Sequence, residues 1–125
     1  MIQLPESVLK AWQDRDGAVV LTTVNEQGVP NAIYATCVSI FKDKTLVVAD
    51  NYFDKTRKNI LSGSPASILF ITKEGTSYQL KGSITYHKDG ELFDDMKQWN
   101  PSKHPGHAAA ALTVTEVYSG SKKLA

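Results

Sequence analysis

TLVVADNYFDKTRKNILSGSP, residues 45–65, changes character three times. Its first five residues are apolar and largely β-branched, which predicts a strand. Asp50-Asn51-Tyr52-Phe53 is a polar turn, Asp54-Lys55-Thr56-Arg57-Lys58-Asn59 reads as a cationic helix start, and Gly63-Ser64-Pro65 stops that helix. A helix start carries free backbone N–H groups and the positive end of the macrodipole, so an ammonium and a hydroxyl in its first turn suit a dianionic phosphate. Lys55 and Thr56 are therefore candidate phosphate ligands. The competing reading is a solvated basic face, with Asp54 as an N-cap whose carboxylate occupies or repels the N–H groups a phosphate needs.

Upstream, residues 18–24 form one apolar β-branched run, and the turn Asn25-Glu26-Gln27-Gly28 joins it to a second run over residues 29–41. The second run exceeds an average strand, so a bend or a change of neighbour is expected in its middle. Lys42-Asp43-Lys44 then turns the chain into residues 45–49, completing an antiparallel meander. Residues 5–14 read as a short helix with Val8, Leu9 and Trp12 on one face, placed to cover one end of a barrel. Downstream, residues 66–72 and 77–87 read as strands around the hairpin turn Lys73-Glu74-Gly75-Thr76. In the second, Tyr78, Leu80, Ile84 and Tyr86 share a face across Gly82, which suggests a bulge or a close backbone approach. A helix over 92–99 carries Leu92, Phe93, Met96 and Trp99 on one stripe, and residues 100–106 are a loop. Residues 108–118 form the last strand, and the polar tail from Ser119 is expected to fray. Six antiparallel strands with helices inserted between them predict a small β-barrel, closed or partly closed.

The 125 residues suit a single domain spanning 1–125, with no repeat or linker. A net charge of +1 provides no field for DNA or an anionic membrane, so any anion site must be local. Cys37 is the only cysteine, which excludes an intrachain disulfide and a thiolate metal cluster and points to a reducing compartment. The first residues lack the basic and apolar segments of a signal peptide, and a cytoplasmic protein is expected.

Gly28-Val29-Pro30-Asn31, the strand end from Leu46 to Asp50, Lys55-Thr56 with Asn59-Ile60, Ser64-Pro65 and Tyr78-Gln79-Leu80-Lys81-Gly82 follow one another in telling order. Together they resemble the FMN-binding split barrels of the pyridoxamine 5′-phosphate oxidase-like superfamily. Gly90-Glu91-Leu92-Phe93 and the run ALTVTEVY at 111–118 also resemble its short flavin-binding members, so the likeness spans nearly the whole chain. The resemblance implies a six-stranded antiparallel split barrel, mainly β, forming a homodimer with two FMN sites at the subunit interface. It places Tyr34, Ala35 and Thr36 beside the isoalloxazine and ribityl chain, with Ala49 and Asp50 near that chain. Lys55 and Thr56 take the phosphate, and Gln79 and Lys81 are the candidates for contacts across the interface. A flavin needs a strand backbone for its polar edge, apolar walls, and a cation for a phosphate of about two negative charges. Pyridoxamine phosphate oxidases themselves carry an arginine three positions after the proline, a lysine further along that strand, and a C-terminal extension with arginine and histidine. Ile33 and Val38 fill the strand positions here, and the sequence stops at Ala125, so oxidation of pyridoxamine phosphate is not expected.

The expected function is that of an FMN-dependent oxidoreductase or electron carrier, acting on an unknown small molecule or redox protein. The alternative is a flavin-binding module for storage or sensing, without turnover. A nucleic-acid binder using KTRK lacks the stacking aromatics and broad basic surface it would need. No Ser-His-Asp set, paired acid site or Gly-rich fingerprint supports a hydrolase or kinase, and no catalytic base can be named. His104 and His107 have a metal-compatible spacing but no third ligand nearby, so no metal site is expected. Cys37 reads as core packing in a buried strand. Trp12 and Trp99 read as helix faces on the barrel, although Trp99 or the loop after it could border the flavin from a partner subunit. Tyr34 reads equally as flavin contact or ordinary surface.

Overall fold

The computed structural model describes residues 2–125, which form eight strands and three helices. Helix α1 (Glu6–Gln13) begins after Pro5, whose ring suits the extended residue before a helix, and buries Val8, Ala11 and Trp12. The strands are β1 (Val19–Val24), β2 (Pro30–Ala35), β3 (Val38–Phe41), β4 (Thr45–Asp50), β5 (Pro65–Ile71), β6 (Ser77–His87), β7 (Ala108–Ser119) and β8 (Lys122–Lys123). Helix α2 (Lys55–Leu61) follows β4, and α3 (Glu91–Trp99) follows β6. Among the described residues no helix is long and apolar enough to cross a membrane.

All pairings are antiparallel in the order β2-β1-β5-β6-β7-β4-β3, with β8 attached to β7. The two ends of this order are consecutive in the chain, separated only by Thr36 and Cys37. Seven flat strands would hold their outermost members about 29 Å apart at ~4.8 Å spacing. The chain from Ala35 to Val38 reaches only about 11 Å at ~3.6 Å per residue. The sheet must therefore curl until its edges meet, which makes it a split barrel with its seam at Thr36–Cys37.

This seam divides the run read as one strand over 29–41. Its first half pairs with β1 and its second with β4 at the opposite edge, so the change of neighbour raises the strand count from six. The tail also differs from expectation. Leu124 and Ala125 pack on the core, and the Val117 N–H donates to the Ala125 carbonyl at 3.0 Å, so the segment is tied down instead of frayed.

The barrel interior is filled by alternate residues of facing strands, among them Leu21, Leu46, Val48, Ile68, Leu80, Leu112 and Val114. Trp12 closes one end, its ring 5.2 Å from that of Phe70 and at 89° to it. β4 is buried on both faces. Leu46 and Val48 point inward, while Val47 and Ala49 lie with Ala109 under Met96 of α3. Gly82 sits where the β6–β7 register shifts, and a Cβ there would lie 1.9 Å from the Thr113 carbonyl oxygen. Only glycine allows that approach.

Candidate functional site

The end of β4 is organised around a buried carboxylate. Asp50 has no exposed surface, and its oxygens accept from the Phe53 N–H at 2.9 Å and from Arg57 Nε at 2.8 Å and Nη2 at 3.2 Å. The Tyr86 hydroxyl also donates to it through a short hydrogen bond. Burial alone would push the Asp50 carboxyl up, but the bonds from Arg57, Tyr86 and Phe53 outweigh it and hold the group below the ordinary carboxylate range. Hydrogen bonds to Asp50 and, from Nε at 3.1 Å, to the Tyr86 hydroxyl raise the Arg57 guanidinium, while burial and then the Asp50 carboxylate raise the Tyr86 phenol. The Asp50 side chain is thus committed to shaping the 50–57 turn.

Asn51, next in sequence, exchanges amide hydrogen bonds with Asn100 at 3.1 and 2.9 Å and accepts from the Gly106 N–H at 2.9 Å. The His107 N–H donates to the Asp50 carbonyl at 2.9 Å. The loop after α3 is therefore fixed on the end of β4. This brings His104 to Tyr52, with Nδ1 3.1 Å from the tyrosine hydroxyl and the rings edge to face.

At the start of α2, Asp54 makes no side-chain cap hydrogen bond, and its carboxylate lies 3.5 Å from Lys58 Nζ. The first-turn N–H groups are thus not taken by Asp54. Lys55 is exposed, whereas Thr56 is 1% exposed and its Oγ1 accepts from Asn31 Nδ2 at 3.1 Å. Asn59 donates from Nδ2 to Thr23 Oγ1 at 3.0 Å. Thr56 and Asn59 therefore pin the helix to β2 and β1 respectively, leaving Lys55 exposed on the wall of a groove beside Pro30 and Asn31.

Two hollows follow one another along β2. The first, about 500 Å3, runs between Pro30–Asn31, Lys55, Lys58 and Asn59. The second, about 270 Å3, is bordered by Tyr34, Ala35, Thr36, Ala49, Phe53 and His104. β2 has a sheet neighbour on one side only, so alternate backbone N–H and C=O groups along it face away from β1 and are free to pair a ligand. Tyr34, Ala35, Thr36 and Ala49 are thus brought together around the second hollow. Lys55, in the first turn of α2, borders the first, while Thr56 is buried behind it against Asn31 of β2. Gln79 and Lys81 are not with them. They line a separate groove of about 620 Å3 with Thr22, Ser67 and Glu116. Cys37 is half-buried at the seam, not enclosed in a strand.

Sequence reasoning did not single out Asn31, Arg57 or Tyr86 beside this site; His104 lies in the 100–106 loop, which the sequence reading offered as a flavin border from a partner subunit and which here borders the second hollow within one chain. Of the first three, Asn31 alone carried a signal, since it stands within the Gly28–Asn31 motif opposite the basic helix. A further feature lies on the outer face of the sheet. Tyr34, Val20, Leu69, Gln79 and Tyr118 occupy one cross-strand row, of which Tyr34 is 82% and Leu69 42% exposed. The adjacent row is Ala32, Thr22, Ser67, Lys81 and Glu116.

Comparison with known proteins agrees with this architecture. An uncharacterized protein of Methanocaldococcus jannaschii is 27% identical over 124 residues, covering 95% of this chain and 82% of the relative. The crystal structure of HupZ from Group A Streptococcus superposes with a TM-score of 0.80 at 20% identity, over 93% of each chain. An FMN-binding protein from Syntrophomonas wolfei gives 0.74 at 19% identity, over 94% of this chain and 97% of that one. At such identities the two structures establish the shared fold. The sequence model described as Pyridoxamine 5′-phosphate oxidase matches residues 6–120, nearly the full curled sheet and its helices, and on that match the chain belongs to the pyridoxamine 5′-phosphate oxidase family.

Proposed function

We propose that this chain is a homodimeric FMN-binding flavoprotein that serves as a small oxidoreductase or electron carrier. The observation that carries the reading is the succession of two hollows along β2, one at the exposed ammonium of Lys55 and Pro30–Asn31, the next at the Tyr34–Thr36 segment. The residues present fit the cofactor. Lys55 offers a cation beside helix N–H groups that Asp54 leaves uncapped, and Ala35, Ala49 and Phe53 offer apolar wall. When bound, the flavin supplies the hydride and electron transfer. The chain's part is to orient it and to shield it from water. Asp50 contributes through the turn it shapes, and Thr56 by holding Asn31.

A second copy completes the site in this reading. The outward row from Tyr34 through Val20 and Leu69 to Gln79 is an uncovered face at whose centre Val20 and Leu69 are apolar. A two-fold axis near Val20 and Leu69 exchanges the ends of the row, because isologous contacts are reciprocal. Gln79 and Lys81 of one copy then lie beside Tyr34 of the other, which accounts for their distance from Lys55 within a chain.

The test is an FMN titration of the purified chain, followed by quenching of flavin fluorescence, with oligomeric state measured by sedimentation. Stoichiometric binding to a dimer is expected. A chain that loses all FMN on desalting overturns the reading. Reduction of the bound flavin by a reduced nicotinamide would support turnover against storage or sensing.

A further inference from the structure

Beyond the seam from Tyr34 lies a hollow that the flavin reading leaves unused. It measures about 420 Å3, within the ~300–1,000 Å3 usual for small-molecule pockets, and Trp99, Thr36, Ser39, Lys103 and His104 are in its wall. Its chemistry is one-sided. It has an aromatic surface, two hydroxyls and two side chains able to carry positive charge, and its lining contains no carboxylate.

The geometry is held from behind. Trp99 Nε1 donates to Asp95 Oδ2 at 3.2 Å, which fixes the indole. The His104 N–H donates to the Pro101 carbonyl at 3.0 Å, and Lys97 Nζ donates to the carbonyls of Pro105 and Gly106 at 3.1 and 3.2 Å. With Nδ1 of His104 engaged by Tyr52, Nε2 has no partner among the described residues and is the ring nitrogen a ligand can use.

We propose that this hollow binds a small planar carboxylate, an aromatic or conjugated monoanion whose ring lies on Trp99 and whose carboxylate meets Lys103 and His104. A flat ring gains dispersion and offset-stacking contact from an indole, and a carboxylate takes charge-assisted hydrogen bonds from the two donors. The absence of a lining acid disfavours a cation of the same shape. Thr36, Cys37 and His104 border this hollow and the one assigned to the flavin alike, so a ligand here sits against the flavin's compartment. Its meaning as the substrate side rests on the proposed function, whereas its binding does not.

Benzoate is the probe, titrated into the full chain with and without FMN and followed by the indole N–H resonance of Trp99. Saturable binding is expected, with benzamide and inorganic phosphate each at least about tenfold weaker. Lys103→Glu and His104→Ala are each expected to lower benzoate affinity by about tenfold while the melting temperature stays unchanged. Benzamide or phosphate binding as tightly as benzoate, or both variants retaining full affinity, overturns the assignment. Benzoate binding by a chain that takes no FMN removes the flavin reading and leaves this pocket standing. FMN binding without any response to benzoate does the reverse.

Discussion

Lys55 and Thr56 are adjacent in the chain but differ in burial, and that difference separates their effects. Lys55→Ala is expected to weaken FMN binding by about tenfold at an unchanged urea midpoint, the loss of one charge-assisted contact. An affinity that does not fall would remove Lys55 from the phosphate. Thr56→Ala deprives Asn31 of its acceptor in a part-buried position, so a loss of about 1–2 kcal/mol is expected in the denaturation curve. Asp50 has a pH signature of its own. Its folded-state carboxyl is depressed, so the stability it adds is complete above about pH 4, where the unfolded carboxyl is ionised, and is lost as pH falls through the folded value. Tyr86 acts in the opposite direction. Its phenol is raised, so its contribution is complete below about pH 10 and disappears as pH rises through the folded value. Melting curves across pH should therefore show an acid slope that Asp50→Asn flattens; a variant with the same acid slope as the parent would deny Asp50 that role.

Among the elements, the β6–β7 pair is the longest, and its close point is Gly82. The register shift leaves Thr115 of β7 without a partner between Glu116, which faces Lys81, and Val114, which faces Gly82. Gly82→Ala would drive a methyl into the Thr113 carbonyl, and no flexible side chain is there to yield. A loss of about 2–3 kcal/mol is expected from this overpacking, read as a lower melting temperature. A variant that melts with the parent would mean that the strands part at no cost. This bulge was legible in the sequence because a lone glycine interrupts an alternating strand, and α2 was legible because its stop signal is local. The division of residues 29–41 was foreseen only as a bend or change of neighbour, since its place depends on pairing with β1 on one side and β4 on the other. The Asp50–Tyr86 bond spans 36 positions and the Asn51–Asn100 pair spans 49. Neither leaves a periodicity or spacing to read, so the network that shapes the turn was invisible while the turn itself was not. Tyr34 remained ambiguous for a related reason: an exposed aromatic on an edge strand looks the same whether water or another subunit will cover it.

For the whole molecule, the decisive question is whether the Tyr34–Gln79 face is covered by a second copy. Leu69 lies near the middle of that face, between Val20 and Gln79 in register, and is 42% exposed in the single chain. Leu69→Arg replaces an apolar contact at the expected two-fold with two like charges, one from each copy. Burying an unpaired charge at such a position costs several kcal/mol, enough to move a dimer to monomer across the concentrations used in sedimentation. Because the side chain points away from the barrel interior, the fold and its melting in the monomeric state should survive. If Gln79 and Lys81 reach the flavin only across the interface, FMN affinity should fall together with dimerisation, and raising the protein concentration should restore both. A Leu69→Arg monomer that holds FMN as tightly as the parent dimer would show that one chain is sufficient, and the flavin would then have to lie wholly within the two hollows along β2. A dimer that persists in the variant would move the interface to another face and leave the exposure of Tyr34 unexplained.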